Sequence, residues 1–531
     1  MEPSAATPAA PATPGLVAPD AVVAAPDAVA GPARPSARNR RWEHVIGVAL
    51  AGLVMLIFLV SNPNRHNFYE HFTWQAAAWL EGQVGIRYPV CPSTGVATFE
   101  GVECIWVAED RQPYNDFYLD VLPLRTPDGR LSGRALIPFP PLPALLLAPF
   151  VAIWGLATDA QTLTALLGGL DVWIAWWLLG ALRPGLRIRA AGTLFFGLGT
   201  VFWYTSMLGT TWYVAHVVAV GLTLAAVGIA LRADRAAVDE ARVAVGADWP
   251  PRAGGAPGAG PGLGSALRPA AIASELAAAL RHGPWTLVDR RQFLAGFVLG
   301  LACTARLTVV FGLPFLAFVG SGGTPLRRAV SAGLGAALPI LALVAYNVIT
   351  TGHVFHPAYE YLYQQEAYGY PDLGYNPAWS IEDIRYIPHN LALMLAGAPD
   401  VMPDCPPGDV RSLFSATCPI IVPRTVGMSV LLTSPAYLLA IPALLRMRRS
   451  RLIAGAAVAV AAIAAANLMH FSQGWVQFGY RFSNDFAPFA LVLVGLGMIR
   501  FGQVRGWVGV LVGASILINA WGVAWGVILQ W

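Results

Sequence analysis

The chain contains no lysine: all 34 of its basic residues are arginine. A phosphate-cradling glycine loop closed by Gly-Lys-Ser or Gly-Lys-Thr is therefore excluded, and nucleotide-driven work at such a loop with it. Charge of either sign is scarce. Only 12% of the 531 residues are charged, against 56% hydrophobic, which is half the ~25% of soluble domains. That excludes a single water-soluble core of this length. The net charge of +4 lies in short clusters between apolar runs, with no basic stripe, so most nucleic-acid-binding readings are excluded too. What remains is an all-α, polytopic membrane protein.

Residues 1–41 read as a disordered cytoplasmic tail, built to residue 37 almost entirely from Ala, Pro, Val and small polar residues that bury too little apolar surface to offset ordering entropy. Arg38-Asn39-Arg40-Arg41 then precedes an apolar stretch, 44–61. It has no small-residue cleavage site after it, so it predicts an uncleaved signal anchor with a cytoplasmic N-terminus. Further apolar segments lie near 162–181, 190–208, 209–231, 292–304, 307–320, 329–348, 424–445, 452–469, 483–500 and 506–528. The run 139–157 is apolar but crowded by Pro138, Pro140, Pro141, Pro143 and Pro149, each of which removes a backbone donor. If it stops short of crossing, there are eleven spans, and the arginines at 183–189, 327–328, 446–451 and 500–505 all fall inside with the N-terminus. The positive-inside rule selects that layout. Segment 139–157 is then re-entrant or interfacial, and the membrane domain, 42–531, carries two extracytoplasmic loops, 62–138 and 349–422. The Ala/Gly/Pro-rich stretch 232–290 becomes a flexible cytoplasmic linker, and the C-terminus lies outside.

The five cysteines agree with this sidedness. Cys91 and Cys104 share the first outer loop and Cys405 and Cys418 the second, so two close pairs on the oxidising side predict two disulfides. Cys303 falls in a span.

Candidate chemistry gathers outside. The segment His66 to Gly82 reads as an amphipathic helix lying flat on the membrane, which puts Glu70 and His71 toward water beside the bilayer. There a carboxylate serves as general base on an acceptor hydroxyl, or is only a solvated polar group. Asp116, within Tyr114-Asn115-Asp116-Phe117-Tyr118, suits a sugar whose ring faces stack on the aromatics, or caps a turn; Asp120 is nearby. Arg134, just before Pro138-Phe139-Pro140-Pro141-Leu142-Pro143, suits a phosphate or is a snorkelling anchor. Arg481 and Asp485, preceded by Tyr480, are four apart and predict a pair on one helix face. Arg306, between two apolar segments, is a third outer cation. Asp171 is an intramembrane carboxylate, open to pairing or proton relay. The tyrosine-rich second loop fits either polysaccharide stacking or an interfacial aromatic belt.

The signal anchor, the surface helix with its acidic residue, the aromatic-flanked Asp116 and Phe139-Pro140-Pro141-Leu142-Pro143 resemble the GT-C superfamily of polytopic glycosyltransferases. That superfamily includes the protein O-mannosyltransferases and the lipid A aminoarabinose transferases. Gly199-Thr200-Val201-Phe202-Trp203-Tyr204 and Gly479-Tyr480-Arg481-Phe482-Ser483-Asn484-Asp485-Phe486-Ala487-Pro488-Phe489 look like its bacterial glycosyltransferase family 39-like branch. The resemblance covers about 42–500 and implies a multi-pass protein of the bacterial plasma membrane. It implies a polyprenyl-phosphate sugar donor, and Glu70 or Asp116 as base, with His71 standing where members often carry a second acidic residue. It also implies donor-phosphate binding by Arg134, Arg306 and Arg481, with Tyr480 and Asp485 alongside. No cofactor is assigned, and a divalent metal stays open. Partners are membrane lipids, the lipid-linked sugar and a glycan, lipid or protein acceptor, with no nucleic acid. The reading is inverting glycosyl transfer outside the cytoplasm. Its rivals are a transporter or flippase of lipid-linked precursors, for which Asp171 speaks, and a non-catalytic scaffold.

Overall fold

The computed structural model describes residues 37–63, 69–87, 97–99, 102–104, 120–129, 131–247, 269–369, 376, 378–402, 405–474 and 476–530. The chain divides into Met1–His44 and Val45–Trp531. Of the first unit only the start of a helix is described; everything below concerns the second.

The longer helices are α1 Ala37–Ser61, α2 His71–Leu80, α3 Leu142–Trp154, α4 Ala160–Ala181, α5 Leu186–Leu198, α6 Thr211–Ala233, α7 Arg235–Ala244, α8 Pro269–His282, α9 Arg290–Cys303, α10 Pro325–Thr351, α11 Ala358–Gly369, α12 Ile387–Ala396, α13 Arg451–Met469, α14 Ser483–Phe501 and α15 Trp507–Ile528. Seven of these (α1, α4, α6, α10, α13, α14 and α15) are long and apolar enough to cross a membrane. The protein is thus a mostly helical, multi-pass membrane protein. The expected spans 190–208, 292–304, 307–320 and 424–445 are shorter or broken helices. Gly199 ends α5 before a short helix Phe202–Ser206, Pro314 and Pro435 each start a new short helix, and Pro442 lies in the first turn of Ile441–Leu444. A proline fits the first turn of a helix but not its interior, so each marks where a new helix begins. Segment 139–157 forms α3, 13 residues with Pro149 inside, and a 3-10 turn Gly155–Ala157. Thirteen residues reach about 20 Å, short of the ~30 Å hydrocarbon layer.

Helices close in where side chains are missing. On α9, Gly296 and Gly300 sit one turn apart against Ala332 and Ala336 of α10, and Gly335 of α10 meets the Phe293 carbonyl. Small residues four apart let backbones approach to contact distance.

One face of the bundle collects both long connections. A three-stranded sheet, β1 Ile86–Arg87, β2 Leu122–Arg125 and β3 Leu131–Leu136, has order β1-β3-β2, all antiparallel. The second connection holds α11, α12 and the paired strands Asp400–Val401 and Ile421–Val422, stapled by a Cys405–Cys418 disulfide. We call this the loop face. The first expected disulfide, Cys91–Cys104, involves side chains outside the described residues. Within the second connection Tyr363 and Tyr386 are buried and their hydroxyls lie 3.1 Å apart, so these two tyrosines belong to a small core.

The opposite face carries the arginine clusters and is clasped by α7. Asp234 caps that helix, accepts from both Nη atoms of Arg451 (2.7 Å for Nη2 to Oδ1) and accepts the Gly320 amide at 3.0 Å. Residues 232–290 are therefore not a linker throughout: α7 buries Ala237, Val238 and Ala241, and α8 occupies 269–282. The low-complexity part, 248–268, lies outside the described residues.

Candidate functional site

The start of α6 organises the loop face. Thr210 precedes it in extended conformation, and Thr211, Trp212 and Tyr213 form its first turn. The Thr211 hydroxyl donates to the Tyr69 carbonyl and accepts the His71 amide at 3.0 Å, while His71 Nδ1 lies 2.8 Å away. With its one hydrogen given to Tyr69, that hydroxyl receives the Nδ1 proton, which fixes the imidazole tautomer. The Trp212 ring lies 6.2 Å from His71 and 4.9 Å from Tyr69, and 5.9 Å from the Arg481 guanidinium carbon.

Glu70 and His71 do not face water as the amphipathic pattern predicts. Helix α2 is tucked against α3 and tied to α10 by Gln75 Nε2 donating to Tyr346 (3.0 Å). Glu70 is 6% exposed and His71 fully buried. The pattern misleads because both sides of α2 meet protein, so the polar positions are inside as well. Burial pushes the Glu70 carboxyl up to about 8, with repulsion from Asp159 adding to it.

Asp120 enters from the first connection just ahead of β2. It is buried at 8% exposure with φ of 55°, a left-handed conformation that Asp tolerates better than most residues. Burial raises its carboxyl to about 6; the Arg481 charge and a hydrogen bond from Trp212 restrain the rise. Tyr69 and Val476 also have positive φ, 58° and 52°. Three of the five such non-glycine residues among the described residues thus adjoin one locality, and for β-branched Val476 this is a real outlier.

The expected Arg481–Asp485 pair is not formed. Helix α14 begins only at Ser483, so Arg481 lies in the preceding turn and the four-residue spacing sets no common face. Asp485 turns inward to Arg306 instead. Arg306 Nε donates to Oδ1 (3.2 Å) and Nη2 to Oδ2 (2.9 Å). Thr308 Oγ1 donates to Oδ2 at 2.8 Å, Asn467 Nδ2 to Oδ2 at 3.3 Å, and His216 Nδ1 lies 3.0 Å from Oδ1. Arg306 and Arg481 both stand over the Phe482 ring, 5.2 and 5.4 Å from its centroid, so they share one locality. Gly474, at φ 99°, makes room for Arg481, since a Cβ there would meet its guanidinium carbon at 2.8 Å. Arg481 Nε has no acceptor among the described residues.

From the second connection, Tyr359 feels Arg306, Glu382 and Asp120, and burial pushes its phenol up to about 12. Tyr480 is fully buried against Phe482, its hydroxyl without a partner among the described residues. The site thus gathers Asp120, Arg306, Arg481, Asp485 and Tyr480, with Glu70 and His71 across Trp212. Arg134 is placed elsewhere. Its Nη1 donates to the Gly85 carbonyl (3.2 Å) and lies 3.6 Å from Glu81, beside a cavity of about 380 Å³ between α2 and α3. Asp116 lies outside the described residues. Among those residues no group of three His, Cys, Asp or Glu side chains could hold a metal ion.

Sequence reasoning missed Trp212, Thr308, His216 and Asn467. His216 carried a signal, an ionisable residue inside an apolar run; the others are ordinary residues until the fold joins them. Asp171, buried in α4 with Oδ2 unpartnered among the described residues, packs against Gly221 of α6, apart from this cluster.

No family model matches the chain, and no curated protein does. Among solved structures the chain aligns with the Archaeoglobus fulgidus oligosaccharyltransferase, crystallised with an acceptor peptide containing the NVT sequon tethered through a disulfide bond. The identity is 13% and the TM-score 0.44, over 92% of this chain and 55% of that one. This chain therefore spans little more than half the length of that structure.

Proposed function

We propose that the protein is a GT-C-type membrane glycosyltransferase that moves a sugar from a polyprenyl-phosphate donor to an acceptor outside the cytoplasm, a cell-envelope glycan, lipid or protein. The observation that carries this reading is two guanidinium groups, Arg306 and Arg481, over one aromatic ring, with the buried Asp120 within the field of the Arg481 charge. In the reaction the acceptor oxygen attacks the anomeric carbon from the face opposite the phosphate. The carbon–oxygen bond to phosphate breaks, and its electron pair leaves with the phosphate. Guanidinium groups suit that developing charge because they bond phosphate oxygens in a planar, two-point fashion.

The acceptor proton needs a base. At pH 7 a carboxyl at about 6 is roughly 90% ionised and one at about 8 roughly 10%. Asp120 therefore takes the base role in this scheme, and Glu70, mostly protonated, serves as a hydrogen-bond donor to a substrate hydroxyl. Asp116, in the same connection, is a second carboxylate for the acceptor. The tautomer of His71 commits Nδ1 to Thr211, so it orients the Tyr69–Glu70 turn. Arg134 tethers Glu81 at the rim. In this scheme the membrane is the bacterial plasma membrane, the loop face is extracytoplasmic and the arginine clusters are cytoplasmic, as the positive-inside rule favours.

The test is reconstitution of the purified protein in vesicles without any ion or lipid gradient, with a panel of polyprenyl-phosphate sugars and envelope acceptors. Glycosyl transfer consumes donor and releases polyprenyl phosphate under these conditions. Movement of intact donor between leaflets without cleavage would instead establish the flippase.

A further inference from the structure

Asp485 is the most heavily engaged polar side chain of the cluster. It is 1% exposed, and four donors converge on its two oxygens, Arg306 Nε and Nη2, Thr308 Oγ1 and Asn467 Nδ2, while the His216 ring closes over Oδ1 with Nδ1 at 3.0 Å. A carboxylate offers about four lone-pair sites. Asp485 is thus saturated by protein, with nothing left for a substrate hydroxyl or an incoming proton. Its chemistry is spent on holding Arg306.

The manner of holding matters. Arg306 is gripped along its Nε–Nη2 edge, the two-point geometry in which a guanidinium has least freedom. Its side chain keeps 20% exposure while Asp485 has none, and among the described residues no acceptor bonds Nη1. The guanidinium is therefore fixed along one edge with Nη1 left over, and it stands over the same Phe482 ring as Arg481. Asn467 ties the support to the turn before α14 by also donating to the Phe482 carbonyl at 3.3 Å. The ring between the two guanidinium groups and the carboxylate behind one of them are thus set by a single connected unit.

Resting on the glycosyl-transfer reading, we infer that Asp485 is a positioning residue, which pins Arg306 side-on so that its free edge meets the donor phosphate. This role predicts a sign opposite to that of charge alone. Asp485 is an anion beside a phosphate site, so replacing it with a neutral residue raises the local positive potential and, by electrostatics alone, tightens phosphate binding. Loss of positioning weakens it.

The experiment measures binding of a polyprenyl phosphate, and of the matching uncharged polyprenol, to the full chain in nanodiscs of zwitterionic lipid. The variants are Asp485→Asn, Arg306→Ala, Arg306→Lys and the double variant Asp485→Asn/Arg306→Ala, each checked by its thermal unfolding profile. The wild type prefers the phosphate to the alcohol. Asp485→Asn and Arg306→Ala each weaken phosphate binding by roughly 10- to 100-fold, the worth of a charged hydrogen bond, and leave the alcohol unaffected. The double variant is no weaker than Arg306→Ala. Arg306→Lys, which keeps the charge but cannot be gripped on two points, binds phosphate as poorly as Arg306→Ala, and this holds even should Asp485→Asn not fold. Unchanged or tighter phosphate binding by Asp485→Asn overturns the inference, as do additive losses in the double variant or wild-type affinity in Arg306→Lys. A wild type that does not distinguish phosphate from alcohol overturns the donor reading itself, a separate outcome.

Discussion

Replacing Glu70 with Gln keeps the shape of the side chain and removes its titration. In the folded protein the carboxyl is buried near Asp159 and sits at about 8, against 4.5 when exposed. The folded state thus holds the proton more tightly than the unfolded one. Glu70 is best tolerated below pH 4.5, and stability falls as pH rises toward 8, because the unfolded chain ionises freely while the folded one cannot. The slope is about 1.4 kcal/mol per pH unit, so the whole window costs on the order of 5 kcal/mol, a large share of a typical folding free energy. The assay is unfolding of wild type and Glu70→Gln in the same detergent at pH 5, 6, 7, 8 and 9, followed by tryptophan fluorescence. All other titrating groups are common to both proteins, so the difference between the curves isolates Glu70. The two are expected to be similar at pH 5 and to diverge steadily, with the wild type the less stable by pH 8 and no further divergence well above it. Parallel curves across the range would refute the burial argument, and a wild type that gains on the variant with rising pH would reverse it.

Three further outcomes follow from packing and pairing. Asp234→Ala removes the two-point partner of the buried Arg451 guanidinium, leaving it the Phe318 carbonyl and Glu240 at 3.6 Å, and is expected to destabilise by about 1.5–3 kcal/mol, with faster hydrogen exchange in 235–244 as the readout. Gly335→Ala places a methyl 2.1 Å from the Phe293 carbonyl, which backbone cannot yield cheaply. Chemical unfolding is expected to register a loss of about 1–3 kcal/mol, whereas Gly333→Ala on the same helix, where a Cβ meets nothing within 4 Å, stays near wild type. Reduction of Cys405–Cys418, which closes a separation of 13 residues, is expected to remove about 3 kcal/mol of loop-closure stabilisation. The loss should appear as proteolysis within 405–418, with the spans intact.

Much of the membrane architecture is legible in the sequence, because the apolar runs at 44–61, 162–181, 329–348, 452–469 and 506–528 carry their signal locally. The prolines likewise mark a segment, 139–157, that forms too short a helix to span. The site is less legible, since its contacts are long-range: Arg306 and Asp485 are 179 positions apart. Spacing alone pairs Asp485 with Arg481, and that inference fails once the helix starts two residues after Arg481. Amphipathic periodicity places Glu70 and His71 in water for the same reason: it reports one helix and says nothing about what covers its second side. Trp212 and Asn467 have no local signature, and only the fold brings them beside a carboxylate and an arginine.

Base catalysis by Asp120 beside Arg481 is tested by the rate of sugar transfer from polyprenyl-phosphate donor by wild type, Asp120→Asn and Arg481→Ala, measured between pH 5 and 8. The wild-type rate is expected to climb through about pH 6 as Asp120 ionises. In Asp120→Asn that limb disappears and the rate drops by roughly 100-fold or more. In Arg481→Ala the rate falls by a similar factor. Wild-type rates and an unchanged pH profile in both variants would remove Asp120 and Arg481 from the reaction.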